Sequence, residues 1–309
     1  MANCKEFYFP SSDGKTSIHA VEWAPEGKPI GVYQIAHGVA EYALRYAPFA
    51  EFLCGRGFVV VANDHIGHGL SIAEGAAPLY FGETDGWTHV VDDMAALRRQ
   101  TELNYPGLPY FLMGHSMGSF LARTYLIRYP GTVTGAVVMG TGQQSGGTVA
   151  LGRLAAKLIG GRNGLDKPDA AVSSLAFGSY NKPFEPRRTD FDWLSVNTEN
   201  VDRYIADPLC GGEATVGLFL DMLGGIAFIG KQANVARMDK RTPVLFISGA
   251  MDPVGDLGKG VRKACESFRR AGVRDVTLKL YPGLRHEILN EAENKQVYAD
   301  IWAWIETHM

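Results

Sequence analysis

Gly114-His115-Ser116-Met117-Gly118 sets a serine between two glycines. Tyr110-Phe111-Leu112-Met113, four apolar or aromatic residues, come before it and read as a buried strand. Phe120, Leu121, Thr124, Tyr125 and Ile127 follow at helical spacing until Pro130-Gly131 ends the run. A serine on a sharp turn from strand to helix has its hydroxyl pushed clear of the backbone. Glycines two residues to either side let the strand and the helix approach closely. The helix N-terminus adds positive potential where an oxyanion would form. Serine is a weak nucleophile at neutral pH, so the chemistry needs a base to take its proton and an acid to orient that base.

Both are found further along. Thr242-Pro-Val-Leu-Phe-Ile-Ser248 reads as a buried strand, with Asp252 in the loop just beyond it. Val276-Thr-Leu-Lys-Leu-Tyr281 alternates as a further strand, and His286 lies in the loop that follows. Taken singly, an Asp before a Pro is a common turn former, and a lone His is a common structural residue. Together, Ser116, Asp252 and His286 follow the chain order of a hydrolase triad, each at the C-terminal end of a strand. Asp256 is the alternative acid; Asp252 is preferred because it sits immediately beyond the strand. Two backbone N–H groups complete such a site. One is on Met117, next to the nucleophile, and the other is on Val39, after the strand Gly31–Ala36 and His37-Gly38.

These residues carry a wider resemblance. His37-Gly38 with Glu41, Arg45 and Tyr46; Asp64-His65-Ile66-Gly67-His68-Gly69 with Ser71; the serine motif; Asp252-Pro253-Val254; and His286-Glu287 with Glu291 run from about residue 30 to 295. The chain resembles the monoacylglycerol lipase and lysophospholipase branch of the α/β-hydrolase superfamily. One departure is Tyr42-Ala43, where the mammalian members of that branch carry His and Ser. The resemblance implies that Glu41 and Arg45 shape the place of a glycerol head group. Their spacing of four also allows a simple ion pair. His65 and His68 are too poor in carboxylate or thiol partners to suggest a metal, so they are expected to hold a loop; no metal and no cofactor are expected.

The elements that must position these groups follow from the pattern. Strands near Glu6–Phe9 and Ile18–Trp23 form an N-terminal hairpin. Strands then alternate with helices at 47–56, 89–103, 120–129, 258–271 and 294–306, which predicts an α/β-hydrolase fold: a doubly wound, mostly parallel sheet. About a hundred residues separate the strand Gly135–Met139 from the strand resuming at Val244, too many for a loop. The expected organisation is a core of residues 1–140 and 236–309 with an inserted helical cap, 141–235. Within the cap, Leu151, Leu154, Ala155, Leu158 and Ile159 recur at helical spacing and are expected mostly to pack it onto the core. The helix from Val216 to Ile229 is apolar on more than one face, and Gly224-Gly225 is expected to kink it. Leu218, Phe219, Met222 and Leu223 are therefore candidates to line an acyl pocket. The cap is also expected to make transient contact with a membrane surface.

Composition narrows the classes. A formal net charge of −3 over 309 residues argues against nucleic-acid binding. No stretch is apolar enough to span a bilayer, the N-terminus has no apolar secretion core, and the four cysteines are widely spaced; a cytoplasmic setting is expected. The favoured function is a serine hydrolase that cleaves carboxylic esters of single-acyl-chain lipids, a monoacylglycerol or lysophospholipid, through an acyl-enzyme. A short-chain or aromatic-ester carboxylesterase is the alternative. A ligand-binding protein on the same fold is disfavoured because all three catalytic groups are present.

Overall fold

The computed structural model describes residues 3–309. Eight strands form one sheet in the order β1-β2-β4-β3-β5-β6-β7-β8. β1 (Asn3–Pro10) and β2 (Ser17–Ala24) form the expected hairpin, and β2 also pairs antiparallel with β4 (Phe58–Asn63). β3 (Gly31–Ala36), β5 (Tyr110–His115), β6 (Gly135–Met139), β7 (Val244–Gly249) and β8 (Val276–Tyr281) run parallel with β4. Every residue of β3 to β7 is buried. Near-continuous apolar runs mark these as strands covered on both faces.

The covering helices divide between the two faces. α1 (Ala47–Cys54) belongs to one apolar layer, with Phe49, Leu53, Val297, Ile301 and Ile305 in its core. α2 (Gly86–Asn104) and α3 (Met117–Arg128) belong to the other, with Val91, Met94, Leu121 and Tyr125. Between β6 and β7 lie α4 (Gly146–Asn163), α5 (Ala170–Phe177), α6 (Thr198–Ala206), α7 (Val216–Gly230) and α8 (Gln232–Val235). A short 3₁₀ turn, Asp192–Leu194, precedes α6. α9 (Lys259–Arg270) joins the α2/α3 face and α10 (Asn294–Glu306) the α1 face.

One expectation for the intervening segment, the inward packing of the α4 leucines, needs correction. α7 runs as one continuous helix through Gly224-Gly225. A Cβ on Gly225 would collide with the Trp87 indole, so this glycine serves close packing against α2. In α4, Leu151, Leu154 and Leu158 face solvent at 70, 56 and 63% exposure. Val149, Ala156 and Gly160 are its buried residues. The small residues let α4 lie close to its neighbours, and the leucines point outward. Among the described residues no helix is long and apolar enough to cross a membrane, and all four cysteines are unpaired.

Candidate active site

Ser116 sits at the junction of β5 and α3 with φ 55° and ψ −122°. That left-handed backbone is costly for a residue with a side chain, by about 1–3 kcal/mol. It holds because Ser116 N–H donates to Met139 O (3.0 Å) and Ser116 O accepts from Ser119 N–H (2.9 Å) and Ser119 Oγ (2.5 Å). A Cβ on Gly118 would collide with the carbonyl oxygens of Ala36 and His37, so only glycine lets α3 lie this close to β3.

The acid and the histidine come together at the same end of the sheet. His286 Nδ1 lies 2.9 Å from Asp252 Oδ2, and both residues are buried. Asp252 also accepts from Ser248 Oγ (3.0 Å) and Val254 N–H (2.9 Å). Burial works to raise its carboxyl, but the His286 ring and these donors hold it below the usual range. A proton on Nδ1 leaves Nε2 free to accept one. Asp256 is exposed, whereas Asp252 carries the bond to His286.

The loop after β3 presents its amides in a fixed direction. His37 Nδ1–H donates to Gly38 O (2.7 Å), and His37 Nε2 accepts from His65 N–H (2.9 Å), which fixes the neutral tautomer. Burial favours that neutral form by lowering the His37 pKa. In a trans peptide the C=O and N–H point in opposite directions. With the Gly38 carbonyl turned to His37, the Val39 N–H is turned away from it, and Val39 lines the cavity. Met117 is the first residue of α3, so its N–H has no partner within the helix. A Cβ on Gly38 would come 2.6 Å from Glu41 Oε1 and 3.1 Å from Ser116 Cβ, so the loop's approach depends on glycine here too.

Glu41 and Arg45 form the expected ion pair inside a larger network. Glu41 Oε1 accepts from Gly38 N–H (2.6 Å) and Tyr46 OH (2.8 Å) and lies 3.2 Å from His115 Nδ1; Oε2 accepts from Arg45 (2.7 Å). Arg45 also grips Glu287 with two bonds of 2.8 Å and does not line the cavity. Glu287 accepts in addition from Asn200 Nδ2 (2.7 Å). Burial works against both carboxylates, yet His115 and Arg45 hold Glu41, and Arg45 holds Glu287, below the usual range. The network ties the Val39 loop to the His286 loop. Glu41 reaches the cavity wall, but its oxygens already have partners.

His65 and His68 stand beneath this loop, with ring centroids 4.1 and 5.3 Å from His37. The neighbouring Asp64 accepts from Ala43 N–H and Leu70 N–H and pairs with His19. Among the described residues no group of three or more His, Cys, Asp or Glu is disposed to hold a metal.

A cavity of about 410 Å³ opens over Ser116 and His286. Its apolar wall comes from Phe177, Phe191, Trp193, Leu194, Tyr204 and Ala214, and polar groups of Asn181, Arg187, Asp190 and Glu213 complete it. Leu218, Phe219, Met222 and Leu223 are not among the lining residues. Leu218, Phe219 and Met222 are buried in the α2/α3 core, and Leu223 meets α4 at Gly152. α7 is apolar on several faces because it is surrounded by α2, α3 and α4. Phe219 backs Phe177 at 5.5 Å, one layer behind the cavity. Phe177 ends α5 and Tyr204 lies in α6, but Phe191, Trp193, Leu194 and Ala214 sit on turns and loops, where no helical or strand period marks them. Their sequence signal is aromatic clustering, as in Phe177, Phe191, Trp193 and Tyr204.

Comparison with known proteins agrees with this geometry. The family described as serine aminopeptidase, S33, a hydrolase family, matches residues 27–293. The chain belongs to this α/β-hydrolase family. It is 30% identical over 305 residues to a monoacylglycerol lipase of Mycolicibacterium smegmatis, covering 98% of each chain. It is 29% identical to the human monoglyceride lipase, covering 92% of this chain and 84% of that one. Its fold matches a thermostable carboxyl esterase from Bacillus coagulans, solved with glycerol, at TM-score 0.92 and 28% identity, over 100% of this chain and 99% of that one. Like these relatives, the chain is an ester hydrolase.

Proposed function

We propose that this chain cleaves carboxylic esters of lipids with a single acyl chain, monoacylglycerols or lysophospholipids, using Ser116, His286 and Asp252. The observation that carries the reading is a strained Ser116 and an Asp252-bound His286 facing one largely apolar cavity. Its volume falls within the usual range for small-molecule sites, about 300–1,000 Å³. Ser116 Oγ attacks the ester carbonyl as His286 Nε2 takes its proton. The N–H groups of Val39 and Met117 receive the oxyanion. Collapse releases the alcohol, which leaves with the proton from His286, and an acyl group remains on Ser116. Water then attacks the acyl-enzyme with the same histidine as base, releasing the fatty acid.

Residues 141–235 act as the cap over this site. The exposed leucines of α4, with Leu175 of α5 at 65% exposure, support transient contact between the cap and a lipid surface. Four unpaired cysteines support a reducing, cytoplasmic setting.

The test is a hydrolysis panel of nitrophenyl esters, monoacylglycerols and lysophospholipids of increasing chain length, with aminoacyl nitroanilides included because of the family description. The expected result is a rate that climbs from short to medium or long single-chain esters and then levels off. On vesicles, Leu151→Ser/Leu154→Ser/Leu158→Ser should lose activity several-fold while keeping that on soluble butyrate. Fastest turnover on acetate or butyrate would promote the short-chain carboxylesterase, which the B. coagulans likeness also supports.

A further inference from the structure

The loop that carries His286 is bound to residues 192–197 of the segment between β6 and β7, and Glu291 is the centre of that binding. Its Oε1 accepts from Arg285 N–H and Val196 N–H, both at 3.1 Å. Its Oε2 accepts from Ser195 Oγ (2.6 Å) and from Val196 and Asn197 N–H (3.1 Å each). The side chain is 1% exposed. Two further ties run alongside. The Arg285 guanidinium donates to the carbonyls of Asp192 (2.5 Å) and Ser195 (3.2 Å), and Glu287 N–H donates to Leu194 O (2.7 Å). Held between these ties is Trp193, whose ring lies 5.1 Å from the His286 ring, centroid to centroid. The His286 ring also lies 4.7 Å from the His115 ring, centroid to centroid.

The bond from His286 to Asp252 fixes one atom of the imidazole and a direction. It does not fix the tilt of the ring plane about that direction, which depends on what touches the faces. We propose that Glu291 is a positioning residue for the reaction: by clamping residues 195–197 to the His286 loop it seats Trp193 against the imidazole and fixes the tilt that aims Nε2 at Ser116. The proposal rests on the reading of His286 as the base. Glutamine cannot replace Glu291, because its amide NH₂ would face N–H donors that need an acceptor.

The test measures kcat and KM on a nitrophenyl butyrate for Glu291→Gln, Trp193→Leu, Trp193→Phe and the double variant Glu291→Gln/Trp193→Leu, with melting temperatures. A misplacement on the scale of 1 Å costs roughly 100-fold, so Glu291→Gln and Trp193→Leu should each lower kcat about 10- to 100-fold with KM little changed. Trp193→Phe keeps an aromatic face and should recover most of the rate. The double variant should be no slower than the slower single, because the two residues form one device. Parental kcat in Glu291→Gln, a loss confined to KM, or losses that multiply in the double variant would overturn the proposal. If Glu291→Gln does not fold, Ser195→Ala with Trp193→Leu provides the same cycle, judged by the same criteria. Ser116→Ala, measured alongside, separates the two claims. An active Ser116→Ala refutes the mechanism itself, whereas failure of the clamp alone leaves Ser116→Ala inactive.

Discussion

Residues from the sheet and residues from the cap meet at one cavity, and different forces hold them there. The sheet side is polar and over-determined. Val39, Ser116 and His286 stand on loops braced by a network of little-exposed polar side chains: Glu41, Arg45, Glu287 and His115. The cap side is largely aromatic, with Phe177 packed on Phe219 of α7, Phe191 on Tyr204 of α6 and Trp193 on Tyr180; the turn bearing Trp193 is also tied by hydrogen bonds, to Glu291 and Arg285. The contrast separates two tasks. Groups that move protons need directions fixed to a fraction of an ångström, which hydrogen bonds provide. Groups that surround an alkyl chain need only the right volume, and apolar packing provides that.

Substitutions on the two sides should therefore fail in different ways. The largest effect lies on the sheet side. Asp252→Asn keeps the shape of the acid but favours the wrong tautomer of His286, and turnover should fall about 10⁴-fold with melting temperature nearly kept. Asp256→Asn should leave turnover near the parental rate. Comparable losses in the two variants, measured on one ester, would erase the distinction drawn between these acids.

Next comes the cap. Phe219 is 2% exposed and lies behind Phe177. Phe219→Ala should cost about 3–5 kcal/mol of stability in urea unfolding without shifting chain-length preference. Phe177→Trp, in the wall itself, should shorten the preferred chain and leave stability nearly unchanged. A shift in preference from Phe219→Ala that exceeds that from Phe177→Trp would place α7 in the pocket after all.

The smallest effect concerns acid. Burial pushes His68 down to about 3. From the ordinary histidine value near 6.5 down to that point, the unfolded chain holds a proton that the folded chain refuses. Stability from this group is thus complete above pH 6.5 and falls as pH drops, by up to about 1.4 kcal/mol per pH unit. His65 and His37 are lowered in the same direction. His68→Gln should flatten the fall in unfolding free energy between pH 7 and 5. Equal slopes for parent and variant would show that the cluster beneath the Val39 loop does not set acid sensitivity.

The same contrast explains what could be read without coordinates. Ser116, Asp252 and His286 each follow a strand, and a buried strand announces itself by an apolar run with a turn behind it. The insertion between β6 and β7 followed from the gap between two such runs, whereas the pairing of those strands is shown by the fold. The cap's interior did not follow. An apolar helix surface marks a neighbour without saying which one. For Leu218 and Phe219 that neighbour is the core rather than substrate, and for Leu151, Leu154 and Leu158 it is solvent. Trp193 reaches His286 from a turn with no period to betray it. Glu41 and Arg45 showed their spacing, but only the fold reveals that Glu287, 242 residues from Arg45, shares the charge.

The cap leaves the sheet at the C-terminal end of β6 and returns at the N-terminal end of β7, its parallel neighbour, in which Ala136 pairs with Val244 and Met139 with Ile247. Bounded by two adjacent strands, it is a cassette in sequence that any relative with the same two strands could carry. The tie through Glu291 breaks that modularity. A donor cap without a hydroxyl and amides placed like those of 195–197 would strand a buried carboxylate five residues from His286. Swapping caps to change substrate preference should therefore succeed only when residues 284–291 travel with them, so the heritable unit of specificity in this chain is two separate stretches of sequence.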